Sequence, residues 1–120
     1  MIREARSEEF LAVVRLLEGA LLEIDPEDVR GAIDRGDVLV AEEDERVRGA
    51  LVLEESHVES VAVRRRARGR GIGSALVRAA ADREGTLTAE FDPEVREFYE
   101  SLGFEMRRGE RCRGRLNERR

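Results

Sequence analysis

The segment over residues 57–84 constrains the fold of this chain more than any other. It begins with the alternating run "HVESVAV", which is typical of a β-strand, and passes through Gly69, Gly71 and Gly73 into apolar residues at helical spacing. Closely spaced glycines between a strand and a helix let backbone N–H groups and the positive end of the helix dipole meet a ligand. The segment therefore predicts an α/β fold with an anion-binding loop at this junction.

The N-terminal half carries clear signals for two helices and three strands. Residues 1–6 predict a strand, and the runs "DVLVAEE" and "RVRGALVLEE" predict two more, joined by a hairpin turn. Ser7 is expected to cap a helix, and Asp25 with Pro26 opens a shorter one that stops at Gly36. The apolar stripe of the first helix is expected to comprise Phe10, Val13, Val14, Leu17 and Leu21.

After the glycine loop and its helix, the pattern continues with strands on either side of one more helix. "TLTAEF" and "FEMRR" predict the strands, and "DPEVREFYESLG" predicts the helix, with Asp92 as its cap. The last ten residues are expected to add an edge strand. This order predicts one α/β domain over residues 1–120, with helices around a mixed central sheet that is antiparallel early and parallel later.

Composition excludes several classes of function. All 22 basic residues are arginine, and 27 acidic residues give a net charge of −5, which argues against a general nucleic-acid binder. One histidine and one cysteine leave no Cys/His zinc site, so no metal is expected. The sequence contains neither a long apolar run nor the apolar core of a signal peptide, which predicts a cytoplasmic protein without a membrane anchor.

The glycine loop matches neither of the two common nucleotide-binding motifs. A Walker A loop needs a lysine, and the chain has none. The dinucleotide motif is also excluded, because Ser74 and Leu76 stand where its third glycine would be. A backbone cradle for an anion remains, beside two alternatives. These are a plain glycine-rich turn with solvated arginines and an RNA-contacting loop, although the latter lacks interleaved aromatic residues.

Two motifs resemble the GCN5-related N-acetyltransferase (GNAT) family. The stretch "VAVRRRARGRGIGSAL" resembles its acyl-CoA-binding segment, with Arg68, Gly71 and Gly73 at the pattern positions. The stretch "EFYESLGFE" resembles its later helix-to-strand segment, with Tyr99 in the place of the family's tyrosine. Asp92 replaces a common asparagine, and the C-terminus is short for the family, which places the usual final hairpin in question.

The resemblance implies a GNAT-like acyl-CoA N-acyltransferase fold and direct transfer of an acetyl group from acetyl-CoA to a primary amine. It implies that Tyr99 protonates the leaving thiolate, and Glu59 is the candidate base for the amine. The backbone of Val61, Ala62 and Val63 would meet the pantetheine arm, with an amide near Val63 stabilising the thioester oxygen. The residues implied to hold the pyrophosphate are Arg68, Gly69, Arg70, Gly71, Ile72, Gly73 and Ser74.

Several alternatives stay open from the sequence. The chain could be a catalytically degenerate acyl-CoA-binding domain with a regulatory or interaction role, Tyr99 could be a packing residue, and Glu59 could be structural. His57 could relay a proton or lie exposed at a strand end, and Glu54 and Glu55 could bind an amine or end their strand. The acceptor is unidentified, with a weak preference for a cation, and a free C-terminal strand suggests a homodimer.

Overall fold

The elements of the structure follow the sequence pattern closely. A computed structural model describes residues 1–20, 22–107 and 112–117, so the predicted core position Leu21 and parts of the C-terminal segment lie outside the described residues. Within the described part, no helix has the length and apolar character needed to cross a bilayer. The helices are α1 (Phe10–Gly19), α2 (Pro26–Asp34), α3 (Ile72–Glu84) and α4 (Arg96–Ser101). The strands are β1 (Ile2–Glu4), β2 (Val38–Glu43), β3 (Arg46–Glu54), β4 (His57–Val63), β5 (Thr86–Phe91), β6 (Glu105–Arg107) and β7 (Cys112–Asn117).

The strands form a seven-stranded mixed sheet in the order β1-β2-β3-β4-β5-β7-β6. The first four strands are antiparallel, and β4 pairs with β5 in parallel. The expectation that the later strands are parallel is wrong beyond that pair, because β7 folds back and inserts antiparallel between β5 and β6. The mixed sheet itself is confirmed.

The same insertion corrects two expectations about the C-terminus. The final hairpin is present, since β6 and β7 pair directly. The C-terminal strand is not an edge strand, because β7 has partners on both sides and β6 is the outer strand. A homodimer that forms through a free edge of the C-terminal strand therefore has no basis in this topology.

Helices cover both faces of the sheet and divide its core in two. On one face, α1 and α2 pack on side chains from β2, β3 and β4, with Val13, Leu17, Val38, Val40 and Ala50 fully buried. On the other face, α3 and α4 pack on strand residues that include Leu51, Leu53, Leu87, Ala89 and Phe91. Strand residues alternate between these two cores, as period-2 side-chain placement requires.

Of the three predicted helix caps, Asp25 is confirmed, Ser7 is wrong, and Asp92 is confirmed in position only. Asp25 caps α2, accepting the N–H of Glu27 at 2.9 Å. Ser7 instead lies inside a 3-10 turn, Ser7–Glu9, because the Glu9 carboxylate accepts the Arg6 N–H at 2.8 Å and fixes the chain there. Asp92 occupies a cap position before the 3-10 turn Pro93–Val95, but its side chain makes no capping hydrogen bond.

Candidate functional site

The sheet opens where β4 leaves β5. The two parallel strands pair only at His57 with Thr88 and at Val58 with Ala89. Beyond Val58, β4 continues to Val63 beside β3 alone, so one of its edges has no neighbouring strand. An unpaired strand edge exposes main-chain donors and acceptors that another extended molecule can use.

A β-bulge lies at the point of divergence. Val52 of β3 opposes Ser60, and Leu53 opposes Val58, which leaves Glu59 as the extra residue on β4. Val58 and Val61 consequently pack against the same core beneath α3, although a regular strand would send them to opposite faces. The bulge turns Glu59 out of the ladder at the mouth of the opening.

The hydrogen-bond pattern identifies which main-chain groups face the gap. The N–H of Arg64 donates to the carbonyl of Arg48 on β3 at 2.7 Å. Antiparallel pairs alternate between hydrogen-bonded and outward-facing residues, so Ala62 bonds β3 while Val61 and Val63 point toward the gap. The Val63 carbonyl accordingly accepts a hydrogen bond from Arg68 Nε at 3.0 Å. The N–H and C=O of Val61 and the N–H of Val63 are the groups that this edge presents.

The glycine loop ends directly at this edge. Gly69 and Gly71 have φ of 80° and 79°, and Gly71 stands at the N-cap of α3. Such φ values strongly favour glycine, while a Cβ at either position would meet nothing within 4 Å. Glycine is therefore required here for the backbone path, and the surrounding space stays open. The first N–H groups of α3 face the loop without intrahelical partners, as at any helix N-terminus.

The arginines of the loop point in different directions. Arg68 lies against the end of β4 through its bond to Val63. Arg70 turns away to the other side of the loop, where it forms an ion pair with Glu43 at 2.9 Å. Both side chains are exposed, so the Arg70–Glu43 ion pair is individually weak. The backbone, more than the arginine side chains, shapes this loop.

Tyr99 lies in α4, where three aromatic rings hold its side chain in place. Its ring is buried and contacts Phe91, Phe98 and Phe104. No described residue forms a hydrogen bond with its hydroxyl. Burial raises the pKa of the Tyr99 hydroxyl above its usual value, which keeps the phenol protonated.

Glu59 lies among other carboxylates. Partial burial raises the pKa of the Glu59 carboxyl most, and the neighbouring Glu54 carboxyl raises it further through hydrogen bonding to the protonated form and through its negative charge. The charge of His57 acts in the opposite direction, and that of Asp28 adds slightly to the rise. His57 itself is engaged, with Nδ1 at 2.8 Å from the hydroxyl of Thr88. Glu55 lies in the β3–β4 turn at a φ of 48°, away from this group.

These features line a cleft made of three cavities that have lining residues in common. A central cavity of about 530 Å³ is lined by Glu59, Val61, Val63, Gly73 and Tyr99, among others. A loop cavity of about 280 Å³ follows the glycine loop through Ser74 and shares four of the residues that line the central cavity, Val63, Arg68, Gly73 and Phe98. A third cavity of about 310 Å³, which we call the acidic cavity, shares Glu59 and Ser60 with the central one.

The structure brings most of the predicted site residues to this cleft. Glu59, Tyr99, residues 61–63, Arg68 and Gly73 line the central cavity, and Gly69, Gly71, Ile72 and Ser74 line the loop cavity. The Arg70 side chain is the exception, as it lies in a separate depression with Glu43. Sequence reasoning missed the wall residue Phe98, although its place beside Tyr99 in "EFY" was the available signal.

Comparison with known proteins adds independent findings. The family model described as an acetyltransferase (GNAT) domain matches residues 34–106. No curated protein sequence matches the chain significantly.

Solved structures share the fold across nearly the whole chain. A GNAT family acetyltransferase from Bacillus cereus superposes with a TM-score of 0.87 at 14% identity, covering 100% of this chain and 98% of that one. Rv2747 from Mycobacterium tuberculosis, in complex with CoA, gives a TM-score of 0.79 at 20% identity, covering 98% and 99%. N-acetylglutamate synthase from Neisseria gonorrhoeae, complexed with coenzyme A and N-acetyl-glutamate, gives a TM-score of 0.81 at 19% identity. The match covers 100% of this chain and 35% of that one. At identities of 14% to 20%, these similarities show that the chain shares the fold of these proteins.

Proposed function

The chain belongs to the GNAT acetyltransferase family, and we propose that it transfers an acetyl group from acetyl-CoA directly to a primary amine. One observation carries this proposal. The unpaired edge of β4, the glycine loop and the hydroxyl-bearing wall at Tyr99 line adjoining cavities that share several residues. An extended acyl donor with an anionic end and an amine acceptor can therefore meet in one cleft.

The donor would lie along β4 with its phosphates at the loop. The extended pantetheine arm carries amide groups, and Val61 and Val63 offer main-chain partners on the open edge. The pyrophosphate would lie against residues 68–74, where backbone N–H groups and the positive end of the α3 dipole favour an anion. The exposed arginines at 64–66 and Arg68 add charge around that site.

The reaction forms a carbon–nitrogen bond and breaks the carbon–sulfur bond of the thioester. An ammonium has no lone pair, so the acceptor first gives one proton to the Glu59 carboxylate. The raised pKa of Glu59 makes its carboxylate a stronger base than that of an ordinary glutamate. Negative charge then develops on the thioester oxygen, and the Val63 N–H is the donor that faces the gap.

Tyr99 would complete the transfer. Its phenol is protonated at neutral pH and donates that proton to the sulfur as the thiolate leaves. The second proton released by the nitrogen, as the amide forms, restores the phenol through solvent. The products are the N-acetyl amine, CoA as a free thiol and the proton held by Glu59.

Binding and turnover together test the proposal. We expect isothermal titration to show CoA binding, and mass spectrometry to show an acetylated product from at least one member of a broad amine panel. Tight CoA binding with no turnover on any amine would favour a degenerate binding domain. Absence of CoA binding would overturn both the acetyltransferase proposal and the alternative of a degenerate binding domain.

A matched pair of glycine variants locates the donor. Gly73 lines both the central and loop cavities, and an added Cβ would lie 3.6 Å from Phe98 and Val63. A valine there would occupy the cleft, so Gly73→Val should raise the Kd for CoA about tenfold or more. Gly19→Val is the control, since Gly19 is a helical glycine with nothing within 4 Å of its added Cβ.

A further inference from the structure

The acidic cavity lies on the α1–α2 face of the sheet, next to the central cavity. Its floor is formed by β3 and β4, and its rim by α2 and the segment before it. Glu59 and Ser60 belong to both cavities, so a molecule in the acidic cavity would lie next to Glu59, the proposed base. The cavity is therefore where an acceptor would lie, provided that the proposed acetyl transfer holds.

The charged residues that line this cavity are mostly acidic. Arg35 is its only basic lining residue in the part of the chain that the structure describes, and its Nε pairs with Asp37 at 3.2 Å. Asp37 is not part of the lining. The acidic lining residues are Glu23, Asp25, Glu27, Asp28, Glu54 and Glu59.

These six carboxylates are not neutralised by the protein. Among the described residues, none of the six forms an ion pair. The positive end of α2 contributes only about half a unit charge, which offsets a small part of the total. Six acids around a cavity of about 310 Å³ create a negative potential that an anionic or neutral acceptor would not match.

The carboxylates come from separate elements of the fold that line one cavity. Glu54 of β3 and Asp28 of α2 line the cavity together with Glu59 of β4, and both raise the pKa of the Glu59 carboxyl. Glu27 and Asp28 stand in the first turn of α2 and line the same cavity as Glu54 and Glu59. The negative charge thus extends from the reaction centre to a second group of acids.

We propose that the acceptor is a small amine that carries at least one further cationic group, as linear diamines and polyamines do. One amine would lie at Glu59 and lose its proton there, while the second stays protonated beside Glu27 and Asp28. The volume of about 310 Å³ is at the lower end of the range of about 300 to 1,000 Å³ for small-molecule pockets, which favours a small molecule over a folded protein terminus.

The primary test compares two amines that differ only in the second charge. Acetylation of 1,4-diaminobutane and of butylamine is measured with acetyl-CoA at low ionic strength. We expect kcat/KM for the diamine to exceed that for butylamine about tenfold or more, and the preference to shrink with added salt. Equal or reversed preference would overturn the inference and leave acetyl transfer itself supported.

Direct binding separates this inference from the proposed function. In titration calorimetry with CoA present, the diamine should bind more tightly than butylamine. If the diamine binds with that preference but is not acetylated, the acceptor site stands and acetyl transfer fails. If neither amine is bound more tightly than the other, the inference fails whatever the outcome for transfer.

Two aspartate variants on the same helix test the position of the second charge. Asp28→Asn should raise the KM for the diamine about three- to fivefold and lower the diamine-to-butylamine ratio of kcat/KM. Asp34→Asn is the control, because Asp34 is an exposed α2 residue outside the cavity lining. An equal effect of the two variants would show only a general loss of negative charge and would overturn the assignment to this cavity.

Discussion

The ring of Tyr99 stacks on the ring of Phe91, with 4.2 Å between the ring centroids and 13° between the planes. Phe98 and Phe104 approach the same ring edge-on, at centroid distances of 5.0 and 5.1 Å. Offset and edge-to-face arrangements of this kind stabilise a core beyond simple burial. The packing uses the faces and edges of the tyrosine ring, whereas its hydroxyl takes part in none of these contacts.

Replacing Tyr99 with phenylalanine should therefore separate packing from chemistry. Tyr99→Phe keeps the ring contacts, so the free energy of unfolding should change by about 1 kcal/mol or less. Loss of the proton donor should lower kcat about 10²-fold, measured with saturating acetyl-CoA and amine. A variant with the wild-type kcat would assign the tyrosine to packing alone.

The pH dependence of turnover should show how the neighbouring carboxylates raise the pKa of Glu59. A general base acts when it is deprotonated, so kcat should fall as the pH drops through the raised pKa of Glu59. Removing the charge and hydrogen bond of Glu54 lowers that pKa, so Glu54→Gln should shift the acid limb of the profile to lower pH.

Two further variants control this experiment. Glu59→Gln should lower kcat and remove the acid limb. Glu55→Gln, at the exposed β3–β4 turn, changes a charge nearby and should leave the limb in place. An acid limb that persists in Glu59→Gln would exclude Glu59 as the base.

Acid stability should depend on the ion-pair network at the N-terminus. Arg3 bonds both oxygens of Glu9 at 2.8 Å and also bonds Glu42, which joins β1, the first 3-10 turn and β2. These bonds lower the pKa of the Glu9 carboxyl from 4.5 to about 2. Because the folded pKa is lowered, the stabilisation is present above pH 4.5 and is lost as the pH falls toward 2.

Urea unfolding at several pH values measures that contribution. Glu9→Gln should lower the free energy of unfolding by about 1 to 2 kcal/mol at pH 7, and the difference from wild type should shrink below pH 4.5. Glu8→Gln is the matched control, since Glu8 lies exposed in the same turn and forms no ion pair with any described residue. A difference independent of pH would rule out the network as its source.

Gly49 should be required for the close approach of α3 to β3. A Cβ at this position would lie 3.0 Å from Ile72 Cγ2, 3.1 Å from Leu76 Cδ1 and 3.2 Å from the Ala62 carbonyl oxygen. Gly49→Ala should therefore destabilise the fold by about 1 to 3 kcal/mol in thermal or urea unfolding.

Gly19→Ala provides the comparison for that substitution. Its added Cβ meets nothing within 4 Å, and alanine favours the helix, so the variant should be neutral or slightly more stable. Equal stability of Gly49→Ala and wild type would mean that α3 can shift away from β3 without lowering the free energy of unfolding.

Local patterns predicted most of the elements but not how they pair. The alternation in "HVESVAV" and the helical spacing after Gly73 correspond to β4 and α3, because side-chain period depends only on the chain's own geometry. The insertion of β7 between β5 and β6 has no local signal, since pairing depends on partners far apart in sequence. Asp92 takes the predicted cap position but makes no capping hydrogen bond, because such a bond needs a particular side-chain geometry as well as a suitable residue.

The sequence by itself determined the order of strands and helices, the glycine loop between a strand and a helix, and the two motifs that indicate the family. Only the tertiary structure decided that β4 leaves β5 after Val58, that the bulge turns Glu59 into the opening, and that carboxylates from α2 and β3 line one cavity with it. Periodicity and φ preference are properties of neighbouring residues along the chain. A cleft and its electrostatic potential arise from residues that become neighbours only when the two layers of helices close on the sheet.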